Sequence, residues 1–270
     1  MPHLLVNRPR IFGRKVRILL PPEEALSQFK WEIISSFCHQ VGSVILLIGS
    51  IFSIPSIRDA TVGELGTFFF VAASSCYMIV SAHDCYEIIC YHSRQDDWDK
   101  ILPPGEILDI ASAGTYFCGS LCFIIGSFCF IFHHTISGGV FKVIGSFLFM
   151  AGAVVNSAQS FDAPTYRAKL FSNLTAVSYS VGSMAYLAGS IPHLWSLKSM
   201  PDQDRIDTYL AGLFIVGSSL FVIGGSLNFH RAKCIFQHEY PNATLGPVVT
   251  SSESGLDEMS SSEEAPLLTI

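Results

Sequence analysis

The hydrophobic pattern of the chain consists of six long apolar runs separated by shorter polar stretches. Each run reaches the roughly 18–20 residues that a helix needs to cross about 30 Å of hydrocarbon. Backbone polar groups cannot stay unpaired in lipid, so these runs are predicted to be helices. The predicted helices cover about 33–57, 65–91, 107–132, 139–161, 170–197 and 206–230. The pattern therefore predicts an all-α integral membrane protein with six transmembrane helices.

Short connections between the runs predict three antiparallel hairpins, at 33–92, 107–161 and 170–231. Residues 1–32 form a basic arm before the first hairpin. Residues 232–270 form an acidic, serine-rich tail that is expected to be disordered, because it has too few apolar residues to form a core. Six crossings would place both termini on the same side of the membrane.

The distribution of lysine and arginine predicts which side that is. The side of the termini carries 12 of these residues, and the opposite side carries only 4, which are Arg58, Lys142, Lys198 and Arg205. Basic residues accumulate in the cytosolic flanks of membrane helices. Both termini are therefore predicted to be cytosolic.

Pairs of small residues recur within the runs at a spacing of seven, as in Gly217-Ser218 and Gly224-Gly225-Ser226. Seven residues are almost two helical turns, so the pairs lie on one stripe and let neighbouring helices approach closely. The alternative is that the serine hydroxyls line a polar pathway. The glycines assigned to helix packing are Gly42, Gly49, Gly119, Gly126, Gly145, Gly152, Gly182, Gly189, Gly217 and Gly224.

Composition excludes an ordinary soluble domain, since 50% of the residues are hydrophobic and only 14% are charged. Most of the eight cysteines lie within apolar runs, where cysteine packs as a small apolar residue. Cys85, Cys90 and Cys234 lie near the predicted cytosolic interface and are candidates for palmitoylation.

Polar residues gather at the predicted cytosolic ends of the helices and suggest a polar vestibule open to the cytosol, below a tight apolar outer half. Its candidate residues are His39, Asp84, Asp109, Asn156, Gln159 and Asn228. His83 and Glu87 are four residues apart on one helical face and could share a metal ion, with solvated helix ends as the alternative. No metal site or other cofactor is assigned. No Gly-x-Ser-x-Gly or His-Glu-x-x-His motif occurs, so the protein is expected not to be an enzyme.

The tail carries a specific signal. Glu263 is followed four residues later by Leu267 and Leu268, a pattern that resembles the acidic dileucine sorting signal read by clathrin-adaptor-type sorting proteins. The resemblance implies an endosomal, lysosomal or vacuolar membrane, with the plasma membrane as the second choice.

The helical segments resemble the YrhK family, whose members are two-helix membrane modules with Gly-Ser pairs in both helices. The segment that starts at Tyr209, contains both small-residue pairs and ends at Asn228-Phe229-His230-Arg231 carries the resemblance. Residues 174–233 match best, and 34–87 and 114–162 resemble more divergent copies. The resemblance implies no reaction, ligand or catalytic residue.

These patterns favour a structural or interaction role in the membrane, because no charge lies near the middle of a span and no helix has the Gly/Pro break of a transporter ion site. The alternative is a small-molecule or ion transporter or channel with a cytosol-facing vestibule. The expected partners are the lipid bilayer and the sorting adaptors. Binding to nucleic acid is not expected, and the formation of an oligomer is left as an open alternative.

Overall fold

A computed structural model describes residues 22–57, 60–94, 104–158, 166–195 and 203–239. These ranges are helical throughout, apart from short connecting turns, and contain no strand. The six long helices are α1 (Pro22–Ile51), α2 (Ala60–Arg94), α3 (Pro104–Ile131), α4 (Thr135–Ala158), α5 (Tyr166–Ser190) and α6 (Gln203–Glu239). A short 3-10 turn, Ile191–Leu194, follows α5. The prediction of six long helices is thus confirmed.

The helix ends differ from the predicted ones where polar sequence continues a helix. Helix α1 begins at Pro22 instead of near residue 33, and α6 continues to Glu239 instead of ending near residue 230. Hydropathy marks only the part of a helix that is apolar, so it does not detect these polar extensions. Helix α5 ends early, at Ser190, because Pro192 lacks a backbone N–H and starts the 3-10 turn.

Five of the six helices are long and apolar enough to cross a membrane. The apolar segments are Ile33–Ile51, Val62–Tyr86, Ile110–Ile131, Thr135–Asn156 and Gln203–Cys234. Helix α5 is not among them, since many of its buried positions are polar residues such as Ser172, Thr175 and Ser178. The chain is therefore a membrane protein on these five helices, and the crossing by α5 stays a prediction.

The six helices form a closed ring in which each helix packs against the one before and the one after it. Helix α6 also packs against α1 and closes the ring. Across this closure the Gln40 amide donates to the Ser226 hydroxyl at 3.1 Å, and the Asn228 amide donates to the Ser36 hydroxyl at 3.2 Å. The ring gives the bundle a central axis.

Glycines form the closest helix crossings within each predicted hairpin. A Cβ added to Gly49 would lie 3.0 Å from the Gly66 carbonyl oxygen, and one added to Gly182 would lie 3.0 Å from that of Gly217. In the second hairpin, the corresponding distance from Gly119 to the Gly145 carbonyl oxygen is 3.3 Å. Several of the neighbouring serines, such as Ser146, donate a hydrogen bond back to the carbonyl four residues earlier. Backbones at this separation leave no room for larger residues.

The centre of the ring is filled mainly by aromatic side chains from all the helices except α1. The core comprises Leu46, Phe70, Ala73, Tyr77, Phe123, Phe149, Tyr186, Phe214 and Phe221. The outside of the bundle is also apolar, with large exposed residues such as Phe68, Ile79 and Phe147. Because the lipid-facing surface and the aromatic core are both apolar, hydropathy does not distinguish the outer face of a helix from its inner face.

Candidate functional site

A cavity opens at the end of the bundle where the chain enters α1 and leaves α6, and all six helices line it. This termini-end cavity is bounded by Ser35, His39, Tyr77, Ser81, Asp84, Tyr116, Phe149, Asn156, Thr175, Tyr179, Phe221, Asn228 and Arg231. Its accessible volume is about 80 Å³, which is room for several water molecules. Its wall is mainly hydroxyl, amide and charged groups, with two phenylalanines at its inner limit.

The structure brings together four of the six residues predicted to form a vestibule. His39, Asp84, Asn156 and Asn228 come from four different helices and line this one cavity. The Asp109 side chain and the whole of Gln159 lie outside the described residues. The role of the four as a vestibule stays a prediction.

Arg231 is a functional candidate that the sequence analysis missed. It was counted only as a cytosolic flanking charge, whereas the structure buries it to 4% exposure in the wall of the termini-end cavity. Its guanidinium donates to the Ser172 hydroxyl at 3.4 Å. Asp84 lines the same cavity and supplies the opposite charge. A sequence signal was present, because Arg231 lies seven residues after Gly224 on the stripe that faces the neighbouring helices.

The proposed pairing of His83 with Glu87 is only partly covered by the described residues. His83 packs against Trp31 with a ring-centroid distance of 4.1 Å, and the Glu87 side chain lies outside the described residues. Among the residues with described side chains, no group of three or more His, Cys, Asp or Glu is placed to hold a metal ion.

The candidate palmitoylation and sorting residues are only partly covered. Cys85 and Cys234 are half-buried and form no disulfide among the described residues. The side chain of Cys90, and the whole of Glu263, Leu267 and Leu268, lie outside the described residues.

A septum of aromatic rings closes the axis beyond the termini-end cavity. We use this name for Leu46 and the seven aromatic residues of the core, Phe70, Tyr77, Phe123, Phe149, Tyr186, Phe214 and Phe221. Ring centroids are 5.2 Å apart for Tyr186 and Phe214 and 5.6 Å apart for Phe123 and Phe149. These separations are typical of packed aromatic pairs. The gap left inside the septum is only about 10 Å³.

Three hydroxyls connect helices α1, α5 and α6 within the septum. The Ser50 hydroxyl lies 2.7 Å from that of Ser218 and 3.0 Å from that of Tyr186, and Tyr186 is also hydrogen-bonded to Ser218. A second bond joins Ser43 to the Tyr77 hydroxyl at 2.7 Å. Ser43, Ser50 and Ser218 therefore serve two purposes, since the hydroxyl of each lies within hydrogen-bond distance of a carbonyl oxygen in its own helix and of a hydroxyl on a neighbouring helix.

A second cavity lies on the other side of the septum, at the end where the two helices of each hairpin are connected. This hairpin-end cavity is lined by Ser53, Gly63, Glu64, Thr67, Phe70, Phe130, Ile131, His133, Lys142, His193, Asp207, Leu210, Ala211 and Phe214. Its volume is about 490 Å³. The expectation of a tight apolar outer half is therefore wrong.

Lys142 is the reason that this half is not apolar. The sequence analysis placed it among the flanking charges, but it lies within α4 and is only 7% exposed. Its ammonium lies 4.3 Å from the Phe130 ring centroid and 4.7 Å from that of Phe70. The rings partly replace water through the cation–π attraction. The sequence analysis did not predict that Lys142 is buried, because a basic residue near the end of an apolar run is typical of a side chain at the membrane interface.

In every helix, one set of axis-lining residues recurs at intervals of seven, four positions after the small-residue stripe. In α4 they are Lys142, Phe149 and Asn156, which belong in turn to the hairpin-end cavity, the septum and the termini-end cavity. The matching sets are His39 and Leu46 in α1 with Ser53 in the turn that follows; Phe70, Tyr77 and Asp84 in α2; Tyr116, Phe123 and Phe130 in α3; Tyr179 and Tyr186 in α5 with His193 in the 3-10 turn; and Asp207, Phe214, Phe221 and Asn228 in α6.

Comparison with known proteins identifies one part of the chain. Residues 106–161 match the YrhK-like protein family, and this segment is the hairpin of α3 and α4. The match confirms the YrhK resemblance for the second hairpin, whereas the sequence analysis expected the strongest resemblance in the third. No curated protein and no solved structure gives a significant match to the chain.

Proposed function

We propose that this membrane protein, which carries a YrhK-like hairpin, moves a small polar solute along the axis of its ring. One observation supports the proposal most directly. Two cavities with polar linings lie at opposite ends of one axis, and a septum of side chains separates them. A site that is open to one side at a time is what alternating access requires, and the septum is the element that would open and close.

The septum is suited to gating because its closure depends on side chains and helix contacts that can rearrange. Aromatic rings turn about two torsion angles, and the Ser50, Ser218 and Tyr186 hydroxyls can exchange partners without losing every hydrogen bond. Glycine has no side chain at the helix contacts, so small sliding motions of one helix along its neighbour meet little steric resistance. The proposal requires no chemical reaction, and the expectation that the protein is not an enzyme is kept as part of it.

A reversible cross-link at the septum tests this function. In liposomes containing the full chain, uptake of a labelled amino acid, a monocarboxylate and a hexose is measured for the double variant Ser50→Cys with Ser218→Cys. The two side-chain oxygens are 2.7 Å apart, so oxidation is expected to join the new thiols and lock α1 to α6. We expect uptake of at least one solute, its loss on oxidation and its return on reduction.

The control for this experiment is Ser50→Cys alone, which passes through the same oxidation without a partner at residue 218. Absence of uptake for all the solutes, with or without the cross-link, would refute the transport proposal. It would favour the structural or interaction role that the sequence analysis preferred.

We propose for the topology that all six helices cross the membrane and that both termini are cytosolic. The excess of basic residues on the side of the termini supports this orientation. The termini-end cavity would then open to the cytosol. The sequence Asn242-Ala243-Thr244 provides a test, because a glycan on Asn242 would place the C-terminus on the wrong side.

We propose for the location an endosomal, lysosomal or vacuolar membrane, reached through sorting adaptors that bind Glu263, Leu267 and Leu268. The support is the dileucine pattern in an acidic tail. Replacement of Leu267 and Leu268 by alanine is expected to move the protein to the cell surface, as measured by surface labelling. A control with Ser251→Ala and Ser252→Ala keeps the signal and should not move. Unchanged location of the leucine variant contradicts the proposal.

A further inference from the structure

The hairpin-end cavity contains the buried Lys142 ammonium, which lies over aromatic rings. Besides Phe130 and Phe70, the Lys142 ammonium lies 5.5 Å from the Phe214 ring centroid. Within the described part of the chain, no hydrogen-bond acceptor and no carboxylate within 4.0 Å is paired with it. Rings attract a cation but accept no strong hydrogen bond, so no described residue takes up the three N–H groups of Lys142.

A charge in this situation favours an anionic ligand. An ammonium removed from water is unfavourable unless it gains a partner of opposite charge. Ionisable groups inside membrane helices commonly mark the path or binding site of a solute. The position of Lys142 against the septum places such an anion at the inner end of the cavity.

The mouth of the same cavity has the opposite charge. Glu64 is exposed and Asp207 is half-buried, and both line the cavity without a salt bridge to Lys142. They are carried by two different helices, α2 and α6. A plain anion would be repelled by these two carboxylates on its way to Lys142, whereas a ligand that also carries a cation would be attracted by them.

The size of the cavity limits the ligand to a small molecule. A volume of about 490 Å³ lies within the range of roughly 300–1,000 Å³ typical of small-molecule sites. The aromatic rings around Lys142 exclude water there, which strengthens a charge-assisted hydrogen bond to a carboxylate.

We propose that the hairpin-end cavity binds a small zwitterion of the amino-acid type. The carboxylate of the ligand accepts hydrogen bonds from the Lys142 ammonium among Phe70, Phe130 and Phe214. Its ammonium points to the mouth, toward Glu64 and Asp207. This inference deepens the proposed function by naming the class of solute, but the binding step does not depend on transport.

Three ligands that share parts of one skeleton test the charge pattern. Alanine carries both charges, propionate only the carboxylate and ethylamine only the ammonium. Binding of each to the purified full chain in detergent micelles is measured by calorimetry. We expect alanine to bind at least roughly tenfold more tightly than either single-charge ligand, because each charge loses its partner at one end of the site.

Variants assign the two ends of the site. Lys142→Gln should weaken the binding of alanine by roughly tenfold or more and should also abolish the binding of propionate. Glu64→Gln combined with Asp207→Asn should weaken alanine binding but strengthen propionate binding, since the repulsion at the mouth is gone. The matched control is Lys233→Gln, which removes a lysine that packs on Phe229 at the other end of the bundle and should leave binding unchanged.

The outcomes separate this inference from the proposed function. Propionate binding as tight as that of alanine, or alanine binding that Lys142→Gln leaves unchanged, would overturn the inference. A Lys142→Gln protein that unfolds at the same temperature as the unmodified chain shows that lost binding is not lost folding. Binding of alanine without its uptake into liposomes would support the zwitterion site and refute the transport proposal. Uptake that does not depend on Lys142 keeps transport and refutes the site.

Discussion

The two cavities differ in how their buried charges are satisfied. In the termini-end cavity, Arg231 donates to Ser172, and hydroxyl, amide and carboxylate groups line the rest of the wall. In the hairpin-end cavity, Lys142 has aromatic rings around it and no hydrogen-bonded partner among the described residues. Both residues are almost fully buried, so the difference lies in the partners and not in the burial.

This difference indicates different roles for the two ends. The polar lining of the termini-end cavity stabilises its charges whether or not a solute is present. The hairpin-end cavity leaves a charge that a solute can complete. The septum between them keeps the two environments apart, so the predictions below begin with it and then compare the two charges.

The largest effect is expected at the glycine crossing beside the septum. In Gly217→Ala the new Cβ would lie 2.7 Å from the Tyr186 ring and 3.0 Å from the Gly182 carbonyl oxygen. Because the Gly182 backbone cannot easily move, we expect the free energy of unfolding to fall by about 2–3 kcal/mol. Denaturant unfolding in detergent measures this, and faster labelling of Ser50→Cys, a fully buried position within the septum, by thiol reagents would show that the septum has loosened.

A control for this substitution lies on the same helix. A Cβ on Gly212 meets nothing within 4 Å, so Gly212→Ala should leave the stability unchanged or raise it slightly. Equal destabilisation by Gly212→Ala and Gly217→Ala would show that loss of glycine itself, and not the crossing, is responsible.

Removal of the satisfied charge should be the next most costly change. Arg231→Met leaves Ser172 and the polar wall without their buried cation, and we expect the free energy of unfolding to fall by about 1–3 kcal/mol. Lys233→Met is the comparison, because Lys233 is only half-buried and packs on the Phe229 ring at 5.2 Å. Chemical unfolding should show an effect well below that of Arg231→Met.

Removal of the charge in the hairpin-end cavity should have the opposite sign. Lys142→Met keeps a long side chain in contact with the rings but removes a desolvated ammonium. In protein free of added solute, we expect the free energy of unfolding to rise by about 1 kcal/mol. A decrease of the size expected for Arg231→Met would mean that Lys142 is satisfied without a ligand, and the distinction between the two cavities would fail.

The smallest effect is expected at the septum hydroxyls. Tyr186→Phe removes a group bonded to Ser50 and Ser218, but these two serines keep their bond to each other at 2.7 Å. We expect a loss of about 1 kcal/mol in unfolding free energy. Tyr179→Phe is the matched control, since no described residue forms a hydrogen bond with the buried Tyr179 hydroxyl, and its loss should cost nothing measurable in the same assay.

Much of the fold follows from the small-residue stripe. The apolar runs predicted the long helices, and the recurrence of glycine at intervals of seven gave the residues at which neighbouring helices approach, such as Gly182 and Gly217. The sequence analysis also connected Asn156 and Asn228 with the repeat, because each follows a small-residue site by four positions. Both residues line the termini-end cavity. Application of the same step of four to every helix would have identified Phe149, Tyr186 and Phe221 as axis residues.

The residues that face inward could be identified only from the arrangement of the helices. Which stripe faces inward cannot be decided from hydropathy, because lipid and core are both apolar and Phe147 on the outside is as hydrophobic as Phe149 on the inside. Lys142 looked like an interfacial anchor until α4 was seen to continue beyond it on the hairpin side.

The sequence by itself determined the long helices and the glycines at their contacts, because hydropathy and small-residue spacing are local properties. Only the tertiary structure decided that α6 closes on α1, that the ring has two cavities, and that Lys142 and Arg231 face inward. The physical reason is that an enclosed space belongs to no single helix. It exists only where side chains from all six helices meet.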